Sequence, residues 1–122
     1  MGVKYLLDSV ILIDHLNAIS GATEYLMKTH GMCAISVITR AEVLVPFDAK
    51  HAPPILRLLN GFPSLTIDAE IADSAAQLRR AHKWKLPDAF QAALAQKHEL
   101  TLITRNTKDF PPAKFRFVNV PY

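Results

Sequence analysis

The sequence predicts a three-layer α/β/α domain with a small parallel sheet of four or five strands, a single domain over 1–122. Three observations predict it. Short apolar runs without polar alternation recur along the chain, as strands covered on both faces do. The gaps between them carry apolar residues at helical spacing. Strand-like and helix-like segments alternate, which implies parallel pairing, helices on both faces and right-handed crossovers.

Strands are expected at 4–7, 33–35, 65–67 and 100–104, with a weaker fifth at 117–120. After the first, Ile11, Leu12 and Leu16 share a helical face. The first helices are expected at about 11–17 and 25–30, apolar enough to serve either an interface or the core. After the second strand, Val37, Ile38, Ala41 and Val45 share a face. Pro53 and Pro54 suit a helix start and Gly61 its stop. Ile71, Ala75 and Leu78 follow the i, i+4, i+7 rule, with Gln77, Arg79 and Arg80 opposite. Ala89, Ala92, Ala93 and Leu94 form the apolar face of a last helix. Two helices, 69–82 and 86–98, thus fall where one crossover needs only one. Either one runs across the sheet or the two form a hairpin.

Composition narrows the classes. Half of the 122 residues are hydrophobic and a fifth are charged, as in globular rather than disordered chains. A chain of this length removes roughly two-thirds of its unfolded surface from water, so it needs no covalent staples. Its one cysteine, Cys33, lies in an apolar stretch and reads as a small core residue, which suits a reducing compartment. The apolar run 5–13 is broken by Asp8, unlike a signal peptide. No stretch approaches the ~20 apolar residues of a membrane span. A cytoplasmic protein is expected. The net charge of +3 permits a polyanionic partner without demanding one.

In a parallel α/β sheet, ligands bind outside the carboxyl ends of the strands. Four acids map to that edge. Asp8 directly follows the first strand, and alone would serve as a helix N-cap. Glu42 sits about two turns into the next helix if Ser36 caps it. The stretch Thr39-Arg40-Ala41-Glu42 also matches a capping box, but a start at Thr39 would waste the apolar Val37 and Ile38. Asp88 follows Pro87 in a first helical turn, where an acid favours the helix dipole. Asp109 lies in the polar run after the fourth strand, where a turn is the plain alternative.

Each acid has a structural explanation singly, but together they share one edge of one sheet. At ~4 Å and an effective dielectric of ~20, each like-charged pair costs about 4 kcal/mol. A cation among them removes that cost. With no His or Cys in the set, the donors suit a hard ion, Mg²⁺ or Mn²⁺, and leave room for a substrate phosphate. Arg40, Arg105 and Lys108 adjoin the acids in sequence and are the candidate phosphate contacts. Trp84, between Lys83 and Lys85, suits either base stacking or packing over the helix junction. The five histidines have no ligand spacing and read as surface or helix-end residues.

The series Leu7-Asp8-Ser9-Val10-Ile11-Leu12-Ile13-Asp14, Thr39-Arg40-Ala41-Glu42, Leu86-Pro87-Asp88-Ala89 and Thr104-Arg105-Asn106-Thr107-Lys108-Asp109-Phe110 resembles PIN domains, in particular VapC-type toxins of toxin–antitoxin pairs. The likeness spans nearly the whole chain in motif order and spacing. It implies a PIN-like, Rossmann-like fold and a Mg²⁺- or Mn²⁺-dependent endoribonuclease leaving 5′-phosphate and 3′-hydroxyl ends. It implies Asp8, Glu42, Asp88 and Asp109 as catalytic, metal-binding acids, the last the more variable one. Ser9, Thr104 and Asn106 match the family's supporting polar residues. Val10 departs from the Ser or Asn often found there. Asp14 matches a common family residue outside the acidic site and reads as a helix-surface charge. The resemblance further implies an RNA substrate, a small antitoxin partner and a homodimer.

Two other readings place acids at such an edge. A receiver-like phosphoacceptor usually has paired acids after its first strand and a lysine after its last. Here Ser9 and Val10 follow Asp8, and the fifth strand ends near Pro121. A PIN-like scaffold that binds RNA without cutting it would not need all four acids.

Overall fold

The computed structural model describes residues 2–122. Five strands, β1 (Tyr5–Leu7), β2 (Cys33–Ser36), β3 (Ser64–Leu65), β4 (Thr101–Ile103) and β5 (Val118–Asn119), form one parallel sheet in the order β3-β2-β1-β4-β5. Six helices fill the connections: α1 (Ser9–Leu16), α2 (Ser20–Lys28), α3 (Val37–Leu44), α4 (Ala52–Asn60), α5 (Ala69–His82) and α6 (Leu86–Lys97). The predicted fold class is the observed one.

Successive strand residues point to opposite faces of a sheet. Leu6 and Leu102 are register partners and both enter the core under α6, with Ala92, Leu94 and Phe110. Their neighbours Leu7 and Ile103, also partners, enter the core under α1, α3 and α4, with Ile11, Leu12, Ile35 and Leu59. All four side chains are fully buried. Burying each contributes about 1.5–3 kcal/mol. Both faces are covered, which is why these strands carry no alternation.

The two helices between β3 and β4 form a hairpin. α5 packs chiefly along α6 and is joined to it by Lys83, Trp84 and Lys85, with Lys83 in the left-handed region (φ 64°). The buried alanines of α6 (Ala89, Ala92, Ala93, Ala95) let that helix lie close between sheet and α5.

The edge strands are shorter than the sequence suggests. β3 ends at Leu65, because Asp68 accepts from the Ile71 N–H (2.9 Å) and turns the chain into α5. β5 is the two residues that pair with Leu102 and Ile103. α1 and α2 begin earlier than expected: Asp8 caps α1 directly, and the turn through Ala18 (φ 62°) and Ile19 launches α2 at Ser20. Cys33 is buried and free, as expected of a core residue. Among the described residues no helix is long and apolar enough to cross a membrane.

Candidate active site

Strand order reverses between β1 and β4: connections run one way to β2 and β3, the other way to β4 and β5. The crevice outside the carboxyl ends at such a switch point is where open α/β sheets bind ligands. Asp8 and Thr104 follow β1 and β4 and flank it.

Asp8 is both cap and hub. Its backbone N–H still bonds β4, donating to Ile103 O (2.9 Å). Its Oδ1 accepts from the Ser9 N–H (2.9 Å), the capping bond, and its Oδ2 accepts from Thr104 Oγ1 (2.7 Å). Gln91 Nε2 donates to Thr39 Oγ1 (2.7 Å) and makes a longer contact with Asp8 Oδ1 (3.4 Å). Thr39 Oγ1 in turn donates to Leu7 O (3.2 Å), tying α3 to the end of β1. Three residues therefore bond one carboxylate, and Thr39 of α3 acts on it through Gln91.

Glu42 is carried by α3, which starts where Ser36 accepts from the Thr39 N–H (3.0 Å). The Ser36 start holds and the capping-box alternative does not. Glu42 as a residue is exposed. Partial burial of its carboxyl pushes its pKa up, the nearby Ser9 hydroxyl opposes that, and Asp8 adds to the rise. No hydrogen bond of good geometry joins Ser9 and Glu42, so the Ser9 influence is a proximity effect.

Asp88 lies in the first turn of α6, directly after Pro87. Its carboxyl is pushed up from 3.8 to about 6, first by burial, then by the charges of Asp8, Asp109 and Glu42, with Lys85 alone opposing. Asp88 thus feels the charge of three acids that lie far from it in sequence. Asp109 is positioned by its own loop: Asn106 Nδ2 donates to Asp109 Oδ2 (3.0 Å), and the Asp109 N–H donates to Asn106 Oδ1 (3.3 Å). The Asn106 N–H donates to Thr104 Oγ1 (3.0 Å), linking this loop to the Asp8 hub.

The donor set fits a hard divalent cation. It is all oxygen, Lys85 is the one charge that opposes the other acids at Asp88, and beside Asp8 the Gln91 Oε1 is buried with no partner. Among the described residues no group of three or more His, Cys, Asp or Glu side chains stands close enough together to hold a metal ion.

The predicted cations fare differently. Arg105 is drawn toward α1, where its Nη1 pairs with Asp14 Oδ2 (3.2 Å) and its guanidinium lies 4.9 Å from the Tyr122 ring centroid. Asp14 also accepts from the Tyr122 hydroxyl (2.9 Å), so it is not a plain surface charge. Lys108 is exposed, Arg40 is half-buried, and neither makes an ion pair among the described residues.

Trp84 is only 4% exposed and cannot stack a base. Its indole N–H donates to Asp109 O (2.9 Å), while His82, Phe110 and Phe115 pack around it. Of the two readings of Trp84, packing over the helix junction holds; Gln91, Thr39 and Tyr122 are the supporting residues that sequence reasoning missed. Gln91 alone left a signal, a polar residue within an alanine-rich buried helix.

The profile of the PIN domain matches residues 5–115. No curated protein sequence matches the chain. Among solved structures, a chain of a toxin–antitoxin complex from Klebsiella pneumoniae is similar at 41% identity and a TM-score of 0.87, with 98% of each chain covered. A chain of FitAcB from Neisseria gonorrhoeae is similar at 25% identity and a TM-score of 0.78, covering 96% of this chain and 97% of that one. The likeness to a chain of DNA-bound VapBC from Salmonella typhimurium, at 18% identity and a TM-score of 0.75 over 88% of this chain and 90% of that one, is one of fold.

Proposed function

Because the chain belongs to the PIN-domain family, we propose that it is a divalent-metal-dependent endoribonuclease, the toxin of a toxin–antitoxin pair. The observation that carries this reading is the PIN-domain match over residues 5–115, together with the crevice in which Ser9, Thr104 and Gln91 fix the Asp8 carboxylate. Family membership sets the receiver-like alternative aside.

Asp8, Glu42, Asp88 and Asp109 would hold Mg²⁺ or Mn²⁺. When bound, such an ion supplies Lewis-acid neutralisation of phosphate charge and lowers the pKa of water. The chain's own residues do the rest. Thr104, Gln91 and the Ser9 N–H keep Asp8 in one orientation. Asn106 keeps the Asp109 carboxylate in one orientation. Ser9 moderates the charge at Glu42. Lys108 and Arg40 lend positive charge for RNA phosphates, and Arg105 does so once released from, or shared with, Asp14. Water rather than the 2′-hydroxyl would attack the phosphorus, in line with a departing 3′-oxygen that takes up a proton, so the products would carry a 5′-phosphate and a 3′-hydroxyl.

The toxin reading is supported by the extended likeness to a chain of a toxin–antitoxin complex. An apolar groove of about 390 Å³ lined by Leu26, Met27, Leu58 and Phe62 is the kind of surface an amphipathic antitoxin helix fills. Met27 on its rim is 74% exposed. The toxin would act as a single-domain protein in the cytoplasm and as a homodimer.

The test is incubation of the purified protein with total RNA in Mg²⁺, in Mn²⁺ and in EDTA, with mapping of the ends. Cleavage in either metal, none in EDTA, and 5′-phosphate ends support the proposal. Metal-independent cleavage or a 2′,3′-cyclic phosphate overturns the mechanism. An Asp8→Asn variant that still cuts would remove the acids from it.

A further inference from the structure

Next to the acidic site, at Asp109, lies a pocket of about 240 Å³ built from the end of α5, the α5–α6 junction and the loop after β4. Asp109 is common to both. One wall is aromatic: His82 stacks on Trp84 (centroids 4.3 Å apart, planes 20°), and Phe115 meets both edge-on at 5.3 Å. The rim carries two exposed lysines, Lys108 and Lys114, neither in an ion pair among the described residues. The Trp84 indole bond to Asp109 O couples the aromatic wall rigidly to an acid of the site.

We propose that this pocket is a nucleotide subsite, taking one base of single-stranded RNA against His82 and its phosphate on Lys108 and Lys114, the latter held 5.5 Å from the Phe115 ring centroid. Two lysines alone would suit any anion. A planar aromatic wall next to them suits a base joined to a phosphate, because base stacking needs a flat face and the phosphate needs a cation. His82, half-buried and rimming the pocket, is the stacking surface; Trp84 behind it supplies rigidity. The subsite sets which nucleotide sits next to the scissile bond, so it governs cut-site preference. It rests on the nuclease reading.

The experiment is steady-state cleavage, in Mg²⁺ or Mn²⁺, of short RNAs randomised around the cut site. The wild type is compared with a Lys108→Ala, Lys114→Ala double variant, with His82→Ala and with His82→Phe. The double variant is expected to raise KM about tenfold with kcat within about twofold. It should also flatten the log KM against log salt slope by roughly 1.4, the effect of two phosphate contacts on a single strand. His82→Ala should flatten the base preference at one flanking position, and His82→Phe, which keeps a flat face, should retain it. If His82→Ala unfolds because Trp84 loses its stacking partner, the lysine variant still decides. A wild type that cuts RNA while the lysine variant keeps KM and salt slope overturns the subsite and leaves the nuclease standing. So does an unchanged base preference in a folded His82→Ala. A wild type that neither cuts nor binds RNA overturns both.

Discussion

Thr104 Oγ1 donates to Asp8 Oδ2 at 2.7 Å, across the crevice between β4 and β1. Both residues are buried, so the bond has no water to replace it. Thr104→Val keeps the shape and removes the donor. It should destabilise the fold by about 1–3 kcal/mol, the cost of an unsatisfied buried group. It should also lower RNA cleavage by roughly 10- to 100-fold, as loss of a ligand-orienting bond does. Thr104→Ser keeps the donor and should recover most of the activity. Urea melts and cleavage rates of the pair separate the two effects.

Asp88 makes stability depend on pH in a definite direction. Its carboxyl titrates near 6 in the fold against 3.8 ordinarily. The native state therefore holds the proton more tightly than the unfolded chain, and its favourable contribution is complete below about 3.8. That contribution is lost as pH rises through about 6. In metal-free protein at pH 7, Asp88→Asn should raise stability, by no more than ~2 kcal/mol once partial exposure is allowed for. The difference should vanish below pH 4. Added Mg²⁺ should raise the Tm of the wild type and not of Asp88→Asn.

Gln91 should act in orientation rather than in stability. Its amide N–H groups serve Thr39 and Asp8, while its buried Oε1 has no partner. Gln91→Met removes that orphan acceptor at similar volume, so stability should change by less than ~1 kcal/mol. Cleavage should fall about tenfold, because Asp8 and Thr39 lose a shared donor. Gln91→Glu adds a fifth carboxylate beside Asp8 and should lose more. Calorimetry alongside cleavage kinetics checks this split; equal activity in wild type and Gln91→Met would contradict it.

Tyr122 holds Arg105 near the site through Asp14. A Cβ added at Gly21 would lie 2.9 Å from Tyr122 Cγ, so Gly21→Ala must displace the ring. It should lower stability by about 1 kcal/mol or more through overpacking. Tyr122→Phe keeps the ring and loses one hydroxyl, and should cost less than about 1 kcal/mol because Arg105 is partly exposed. If Arg105 serves RNA from this anchored position, Tyr122→Phe should change KM more than kcat. Thermal melts and a KM and kcat pair measure both.

Much of this was legible in the sequence because burial leaves strong local marks. Leu6, Leu7, Leu102 and Ile103 advertise a doubly covered sheet by lacking alternation, and Asp8 stands out by interrupting such a run. Pro87 and Ser36 announce the helix starts that carry Asp88 and Glu42. The remainder is decided by contacts distant in sequence. Nothing local tells that α5 folds back on α6, since the choice depends on packing of Ala75 and Ile71 against α6 alanines. Arg105 looks like a free cation until the chain brings Asp14 and Tyr122 to it. Trp84 between two lysines suits either stacking or packing in sequence, and the choice is made by Phe110 and Phe115, which cover it. The edge strands depend on where Asp68 and the β4 register release the chain, which apolar content does not encode.

The most direct measurement is Mn²⁺ binding followed by electron paramagnetic resonance, with Mg²⁺ as competitor, in the wild type and in Asp8→Asn, Glu42→Gln, Asp88→Asn and Asp109→Asn. If the four carboxylates act together on a cation, the wild type binds Mn²⁺ in competition with Mg²⁺. Each single variant then weakens that binding about tenfold or more. Wild-type and variant proteins that bind Mn²⁺ equally, or a wild type that binds none, would contradict the account.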